Sequence, residues 1–357
     1  MNIANRIERL QELMGRKRLD AVVLFSRENT RYFSGFTGSE STTVITPNAR
    51  FILVDSRYTG QAERQCQGFE VADSTLLGLK ALAELLEKLG IRTAGVEDEE
   101  VPLSVYRKYE TNSPRISFSA LESAVSNLRA QKDPDELVLI ATAVRIADEA
   151  FEEALKMIRP GVTERDIAFA LETAMMRRGA TKPSFDTIVA SGVRSALPHG
   201  VATEKTIEHN DCVVLDFGCV FEGYCSDITR TVFTGHADEE LLKVYGIVLE
   251  AQLAAETILS SEISGAKADE TARGIIAAAG FGDLFGHGLG HGVGLAIHEN
   301  PRLSRTNPGQ LKPGDVVTIE PGIYLPGKGG VRIEDMAVIE AGGARILTHA
   351  SKAVRIL

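Results

Sequence analysis

The sequence predicts a two-domain protein, with an α/β domain over residues 1–125 and an α+β domain over residues 126–357 that is duplicated about a pseudo-twofold axis. Three observations predict this architecture. Helical and β-branched segments alternate at the start of the chain, a strongly capped helix begins after residue 132, and one short motif occurs twice in the second region. The 357 residues, 44% of them hydrophobic, are enough for about two domains of ~150 residues.

The first domain is predicted to begin with a helix that leads into a sheet. Apolar residues recur at helical spacing near the start, at Ile3, Ile7, Leu10 and Met14. The next segment, DAVVLFS, has the β-branched run of a buried strand, and STTVITP and RFILVDS predict two more strands. A further helix is predicted in LLGLKALAELLEKLG and ends at Gly90.

The second domain is predicted to open with two helices that carry capping signals. Asp133 fits the N-cap of the first helix and Glu136 lies three residues later, as in a capping box. This helix should run through VRIADEAFEEALKMI. Thr163 and Asp166 repeat the pattern for a second helix that ends near Gly179. Strands, two more helices around 238–279 and a final set of strands follow.

A short motif occurs twice in this region, as DCVVLDFG and as DVVTIEPG. In each copy an aspartate opens a β-branched run, and an acid follows five residues later, Asp216 in the first copy and Glu320 in the second. A second acid lies after each copy, at Asp227 and Glu334. The halves also share an order of helices first and strands after. We therefore predict a duplicated α+β half in which the four acids meet at the centre.

The environment of these four acids predicts that a cation compensates their charge. Asp216 and Glu320 end strand-like runs, where an unpaired carboxylate is costly. One explanation is a set of ordinary ion pairs, for example Asp227 with Arg230 and Glu334 with Arg332. Four acids in duplicated positions, together with a nearby histidine-rich segment, favour two divalent metal ions instead.

The histidine-rich segment is FGHGLGHGVGLAIHE, which contains His287, His291 and His298. Its glycines disfavour a helix, and the pair His287 and His291 lacks the glutamate of the HExxH zinc motif. A flexible surface loop is the simplest alternative. However, three of the seven histidines of the chain fall within twelve residues, which favours a functional segment.

These motifs resemble those of the pita-bread metallopeptidases, the family of methionine aminopeptidase, aminopeptidase P and prolidase. The resemblance implies five metal ligands, found in LDFG, SDITRT, GHGVG, IEPG and RIED as Asp216, Asp227, His291, Glu320 and Glu334. It implies that Asp227 and Glu334 bridge two ions, that Asp216 completes one site, and that His291 and Glu320 complete the other. His199 and His298 match two histidines that the family places beside the scissile bond.

The resemblance is strong over residues 130–357, and the segment VVLFSRENTRYFSGFTGSE resembles the N-terminal domain of aminopeptidase P, prolidase and creatinase. It implies a pita-bread catalytic domain and a peptidase that acts beside proline. Creatinase lacks the metal ligands that are complete here. A dipeptidase is favoured if Arg302 binds the free carboxylate of a dipeptide. The alternatives for Arg302 are a solvated loop charge or an ion pair with Glu299, and aminopeptidase P is the alternative activity.

The oxygen-rich ligand set predicts two divalent ions, Mn²⁺ in the first place with Co²⁺ or Zn²⁺ also possible. Such a pair holds a shared water and presents hydroxide to the amide carbonyl. We expect Glu320 to accept the proton of that water and His199 and His298 to stabilise the tetrahedral intermediate. His287 and Arg332 are expected to orient ligands without binding the ions.

Charge and composition exclude other classes of protein. The formal net charge of −10 offers no basic surface for nucleic acid, and no apolar run approaches the ~20 residues of a membrane span. The four cysteines form no CxxC pair, which predicts buried thiols and a cytoplasmic location. We expect a homodimer that acts on proline-containing di- or oligopeptides. A catalytically silent binding module and a structural α/β protein are the alternatives from other classes.

Overall fold

The computed structural model describes residues 2–75 and 78–357. It divides into two compact units, Met1–Arg129 and Ala130–Leu357. The predicted order of an α/β region followed by an α+β region is confirmed. The domain limits of 1–125 and 126–357 stay a prediction, because the compactness of two units does not test whether each folds independently.

The N-terminal unit contains one mixed sheet. Its strands are β1 (Ala21–Leu24), β2 (Thr42–Ile45), β3 (Arg50–Val54), β4 (Glu70–Asp73), β5 (Thr93–Val96) and β6 (Ser117–Ala120). Their order is β4-β3-β2-β1-β5-β6, and β1 pairs antiparallel with β2 and parallel with β5. The three strands predicted from β-branched runs are β1, β2 and β3. The other three strands, EVAD, TAGV and SFSA, have no such run, which is why the sequence pattern did not predict them.

Helices cover this sheet and end the unit. They are α1 (Ile3–Lys17), α2 (Arg27–Ser34), α3 (Thr59–Gln65), α4 (Leu79–Lys88), α5 (Leu103–Asn112) and α6 (Ser126–Ala130). The predicted first helix is α1, whose buried face includes Ile7, Leu10 and Met14. The helix predicted in LLGLKALAELLEKLG is α4, and the first two residues of that prediction, Leu76 and Leu77, lie outside the described residues.

Four long helices organise the second unit. They are α7 (Pro134–Ala154), α8 (Glu164–Arg177), α9 (Glu239–Ile258) and α10 (Gly265–Ala278). Both predicted capping boxes form, with Asp133 and Glu136 at α7 and with Thr163 and Asp166 at α8. A 3₁₀ turn, Leu155–Met157, extends α7 towards its predicted end. These local signals predicted the helices well because capping depends on side chains within one turn.

Thirteen strands complete the second unit in the described part of the chain. They are β7 (Lys182–Pro183), β8 (Ile188–Ser191), β9 (Cys212–Phe217), β10 (Cys219–Phe221), β11 (Tyr224–Cys225), β12 (Ile228–Phe233), β13 (Gly290–Gly292), β14 (Glu299–Leu303), β15 (Val316–Ile319), β16 (Gly322–Leu325), β17 (Gly329–Arg332), β18 (Asp335–Glu340) and β19 (Gly343–Ile346). The two main sheets have the orders β12-β9-β8 and β14-β13-β15-β18-β19.

The internal duplication is visible in the packing of the second unit. One hydrophobic core joins α7 and α8 to β8, β9 and β12, and a second core joins α9 and α10 to strands between β13 and β18. The two copies of the motif form β9 and β15, each of which pairs antiparallel with the strand that follows the second acid, β12 or β18. Each half therefore repeats a helix pair packed on an antiparallel strand pair, as the sequence predicted.

The cysteines are buried and free, as predicted: Cys66, Cys212, Cys219 and Cys225. Burial raises the pKa of the Cys212 and Cys225 thiols to about 12, so these thiols stay protonated and pack as small apolar groups. Among the described residues, no helix combines the length and the apolar content that a bilayer crossing needs.

Candidate metal centre

Antiparallel pairing brings the two acids of each half to the same end of their strands. Asp216 lies on β9 opposite Thr229 on β12, and Asp227 directly precedes β12. In the second half Glu320 directly follows β15, and Glu334 directly precedes β18. Acids that are distant in sequence therefore meet at one end of two strand pairs.

Three of these predicted ligands form one compact group. Asp227, His291 and Glu334 are buried, and each offers one ligand atom within 4.8 Å of the others. The Nε2 atom of His291 lies 3.6 Å from Oδ2 of Asp227 and 3.5 Å from Oε1 of Glu320. One imidazole nitrogen and three carboxylates thus converge on a small buried volume.

The imidazole of His291 is oriented by the backbone of its own strand. Its Nδ1 atom lies 3.0 Å from the carbonyl oxygen of Gly292, a contact that assigns the proton to Nδ1 and leaves the Nε2 lone pair towards the acids. A Cβ atom at Gly290 would overlap the carbonyl of Thr318 on β15. Glycine beside His291 therefore lets β13 approach β15 closely, which explains part of the glycine-rich pattern.

The electrostatics of the cluster favour a bound cation. Burial, reinforced by the charge of Glu334, raises the pKa of Asp227 well above its ordinary value, and burial reinforced by Glu320 does the same for the pKa of Glu334. Burial also raises the pKa of Glu320 to about 8 and lowers the pKa of His291 to about 3. The imidazole is therefore neutral, and full ionisation of the acids requires positive charge from another source.

The fourth acid provides a direct test of whether a metal ion fits. Oδ2 of Asp216 accepts a hydrogen bond from Arg332 at 2.6 Å, but its buried Oδ1 has no hydrogen-bond partner among the residues that the structure describes. A buried carboxylate oxygen without a partner is rare and calls for an explanation. Four carboxylates and one imidazole form a donor set that suits a divalent ion of the Mn²⁺ type, so the residues fit the predicted group.

Two threonine hydroxyls fix the acids of this centre. Thr229 donates to Oε2 of Glu334 at 2.7 Å. Thr318 donates to Oε1 of Glu320 at 3.3 Å and accepts from the backbone N–H of His291 at 3.0 Å. Such contacts restrict the rotamers of candidate ligands and hold them ready for an ion.

Arg332 and His287 are joined through a residue that the sequence did not single out. Nη1 of Arg332 donates to the hydroxyl of Tyr324 at 2.8 Å, and that hydroxyl lies 2.9 Å from Nε2 of His287. Nδ1 of His287 faces the Gly288 carbonyl, and burial lowers the pKa of His287 to about 4, so Nε2 accepts from the tyrosine. The arrangement connects His287, through Tyr324 and Arg332, to Asp216.

The two arginines that could have paired with the acids in place of a metal ion, Arg230 and Arg332, pair with other carboxylates than the sequence suggested. Arg332 pairs with Asp216 rather than with its sequence neighbour Glu334. Arg230 pairs at 2.6 Å with Asp335 rather than with Asp227. Each arginine pairs with an acid more than a hundred residues away, so proximity in sequence did not indicate the partners.

A cavity of about 510 Å³ opens beside these residues. It is lined by every site residue that the sequence predicted, namely His199, Asp216, Asp227, His287, His291, His298, Arg302, Glu320, Arg332 and Glu334. The ring of His298 lies 4.4 Å from that of His291, centroid to centroid, in an edge-to-face arrangement. The cavity volume falls in the range of small-molecule sites, roughly 300–1,000 Å³.

The exposed end of the cavity carries Arg302, whose alternative role was an ion pair with Glu299. Glu299 forms a buried ion pair with Lys132 at 3.2 Å. Arg302 lines the cavity with its side chain exposed. This geometry favours a guanidinium that is available to a ligand carboxylate.

Sequence reasoning missed several residues of this cavity. Phe185, Ile188 and Ile297 give it an apolar wall, and Tyr324 supports its polar end. An apolar residue in a strand or a loop shows the same pattern whether it faces a core or a cavity, so these residues had no distinguishing signal. Tyr324 had one, since it follows the acid of the second motif by four residues.

Family models match both parts of the chain. The model of metallopeptidase family M24 matches residues 138–341, and that of the creatinase/prolidase N-terminal domain matches residues 6–131. The chain is 37% identical over 363 residues to a protein of Pyrococcus horikoshii named Xaa-Pro dipeptidase, with 99% of each chain covered.

Solved structures share the whole fold. One is a Xaa-Pro dipeptidase from Bacillus anthracis, which has 41% sequence identity and a TM-score of 0.97 and is matched over 100% of both chains. Another is an X-Pro aminopeptidase from Thermotoga maritima, with 41% identity, a TM-score of 0.92, and coverage of 98% of this chain and 99% of the other. The predicted fold class, an α/β domain followed by a pita-bread domain, is confirmed.

Proposed function

Because the chain belongs to metallopeptidase family M24, we propose that it hydrolyses Xaa-Pro dipeptides with the help of bound divalent metal ions. The observation that carries this proposal is the convergence of four carboxylates and one neutral imidazole, with the buried Oδ1 of Asp216 left without a described partner. Relatives and structural neighbours that are named Xaa-Pro dipeptidase support the substrate. A purely structural cluster would pair its acids instead.

We propose two ions, with Mn²⁺ as the native metal and Co²⁺ or Zn²⁺ as substitutes. Asp227 and Glu334, whose ligand atoms lie within 4.8 Å of each other and of an imidazole nitrogen of His291, would bridge the ions. Asp216 would complete one site, and His291 with Glu320 would complete the other. When bound, a pair of divalent ions lowers the pKa of water and polarises a carbonyl oxygen.

The protein groups have separable roles in this proposal. Glu320, whose Oε1 lies 3.5 Å from Nε2 of His291, is the group that would accept a proton from the attacking water and release it to the leaving proline nitrogen. His199 and His298 line the cavity and would donate hydrogen bonds to the carbonyl oxygen of the scissile bond as it gains negative charge. Arg302 would bind the free carboxylate of a dipeptide.

Aminopeptidase P is the second candidate activity, because the Thermotoga maritima neighbour is named X-Pro aminopeptidase and shows the same 41% identity as the Bacillus anthracis dipeptidase. The two activities differ in the length of the substrate. A dipeptidase must read a carboxylate directly after proline, whereas an aminopeptidase must leave room for further residues.

The experiment compares Ala-Pro, Ala-Pro-amide and Ala-Pro-Ala as substrates of the Mn²⁺-loaded protein, with products separated by chromatography. We expect cleavage of Ala-Pro and little cleavage of the other two. Arg302→Met should raise KM for Ala-Pro by about 10–100-fold, the value of a charge-assisted contact of roughly 1.5–3 kcal/mol. Arg305→Met is the matched control, since Arg305 is an exposed arginine two residues beyond the end of β14, the strand that carries Arg302. Release of alanine from Ala-Pro-Ala at an equal rate would assign aminopeptidase P.

We propose further that the protein acts in the cytoplasm as a homodimer. Four free, buried cysteines are compatible with a reducing compartment. Closed twofold assemblies are the commonest oligomers. Light scattering after size-exclusion chromatography tests the stoichiometry, and a monomer of 38.5 kDa would contradict this part of the proposal.

A further inference from the structure

Arg230 lies on β12, three residues after the candidate ligand Asp227, and its side chain is fully buried. Each of its N–H groups has an acceptor. Nε donates to the carbonyl of Ser351 at 3.2 Å, Nη1 to the carbonyls of Thr229 at 2.9 Å and Glu334 at 2.5 Å, and Nη2 to the carbonyl of Ala350 and to Oδ1 of Asp335, both at 2.6 Å. Five donors are matched by five acceptors, which uses the full capacity of a guanidinium.

These contacts hold the backbone of a candidate metal ligand. The carbonyl of Glu334 is bound by Arg230, and its backbone N–H donates to the carbonyl of Thr229 at 3.1 Å. The carboxylate of Glu334 is bound in turn by the hydroxyl of Thr229. Glu334 is therefore fixed to β12 at three points, and β12 directly follows Asp227.

The charge of Arg230 is balanced within the same network. Its partner Asp335 also accepts from Nζ of Lys352 at 2.7 Å and from Gln252 at 3.2 Å. The positive charges of Arg230 and Lys352 keep the pKa of Asp335 below its ordinary value despite its burial. The guanidinium can thus stay buried without an unpaired charge.

The network continues into the segment near the end of the chain that supplies two of the acceptors. Asp148 on α7 accepts from the backbone N–H groups of His349 at 2.8 Å and Ala350 at 3.0 Å. Asp148 therefore sets the position of the carbonyls that Arg230 uses. A helix of the first half is linked in this way to a candidate ligand of the second half.

We propose that Arg230 is a positioning residue of the metal centre, which fixes the spacing between the chain segments that carry Asp227 and Glu334. This inference rests on the metal centre of the proposed function. Arg230 would contact neither the substrate nor an ion. Asp148 supports the same contacts from a greater distance. Lysine cannot replace Arg230, because an ammonium group offers three donors without the planar fork that reaches both Glu334 and Ala350.

The test is Arg230→Lys, with metal affinity rather than activity as the readout. Partners that orient metal ligands typically change affinity by about 10–100-fold when they are altered. We expect Mn²⁺ alone, titrated into the chelator-treated full chain by calorimetry, to bind Arg230→Lys about 10–100-fold more weakly. We also expect a smaller rise in Tm on adding Mn²⁺. Arg355→Lys is the matched control, since Arg355 pairs with Glu152 on the surface near the same end of the chain.

The outcomes separate a positioning role from a structural one. If Arg230→Lys lowers Tm equally with and without Mn²⁺ and leaves the Kd unchanged, the residue is only structural and the inference is wrong. If Arg230→Lys does not fold, Asp148→Asn provides the test, because it removes one of the two carboxylate oxygens that accept from His349 and Ala350. We expect Asp148→Asn to bind Mn²⁺ more weakly than Arg355→Lys does. An unchanged Kd in Asp148→Asn would then overturn the inference. A wild-type chain that binds no Mn²⁺ would refute the proposed function itself, whereas normal wild-type binding with unaffected variants refutes only the role of Arg230.

Discussion

Asp227→Asn should change stability in opposite directions with and without metal. Without metal, burial and the charges of Glu334, Asp216 and Glu320 raise the pKa of Asp227 well above its ordinary value, so the negative charge of Asp227 destabilises the folded protein. An isosteric amide removes that charge. We expect the metal-free variant to be more stable than the metal-free wild type by about 1–3 kcal/mol, the scale of an uncompensated buried polar group. At about 2–4 °C per kcal/mol for a domain of this size class, Tm should rise by a few degrees.

With metal, the same substitution should remove the stabilisation that the ions provide. Mn²⁺ at about 100 times its Kd stabilises a folded protein by roughly 2.7 kcal/mol, or about 5–11 °C in Tm. Asp227→Asn should lose most of this rise, because Asp227 is one of the three candidate ligands whose ligand atoms lie within 4.8 Å of one another.

Scanning calorimetry of chelated and Mn²⁺-loaded samples, with bound metal measured by mass spectrometry, tests both parts. Asp283→Asn is the control, since Asp283 is an exposed aspartate outside the cluster. A variant that kept two ions and the full rise in Tm would refute the assignment of Asp227 as a bridging ligand.

Two further predictions concern protonation and catalysis. The folded-state pKa of Glu320, about 8, lies above its ordinary value of 4.5. The contribution of Glu320 to the stability of the metal-free protein is therefore fully present below about pH 4.5. That contribution is lost as the pH rises towards 8. The free energy of unfolding from urea titrations should therefore fall with rising pH in chelated protein but not in Mn²⁺-loaded protein. The same dependence on pH in both samples would contradict this prediction. His199→Ala should keep its bound metal while kcat for Ala-Pro falls by about 10²–10³-fold, and a loss of metal would contradict its role at the scissile bond.

The arrangement of the candidate ligands was predictable from the sequence to the extent that it is encoded locally and in duplicate. The repeated motif placed Asp216 and Glu320 at the ends of equivalent strands, and antiparallel pairing then required the acids that follow to lie beside them. The capping boxes of α7 and α8 gave the helix starts directly.

The partners of the arginines were not predictable, because they depend on how separate sheets meet. Arg332 ends β17 and Glu334 precedes β18, and these strands belong to different sheets, so Arg332 reaches Asp216 instead. The contacts of Arg230 with Ser351 and Ala350 span more than a hundred residues. No periodicity or local motif reports contacts of this range.

In the function proposed above, metal ions held by this cluster are required for Xaa-Pro hydrolysis. The most direct measurement removes all metal with a chelator and follows cleavage of Ala-Pro as Mn²⁺ is titrated back, with bound metal measured in the same samples. We expect no cleavage without metal and a rate that rises with occupancy up to two ions per chain. Cleavage at the full rate by protein that contains no metal would contradict it.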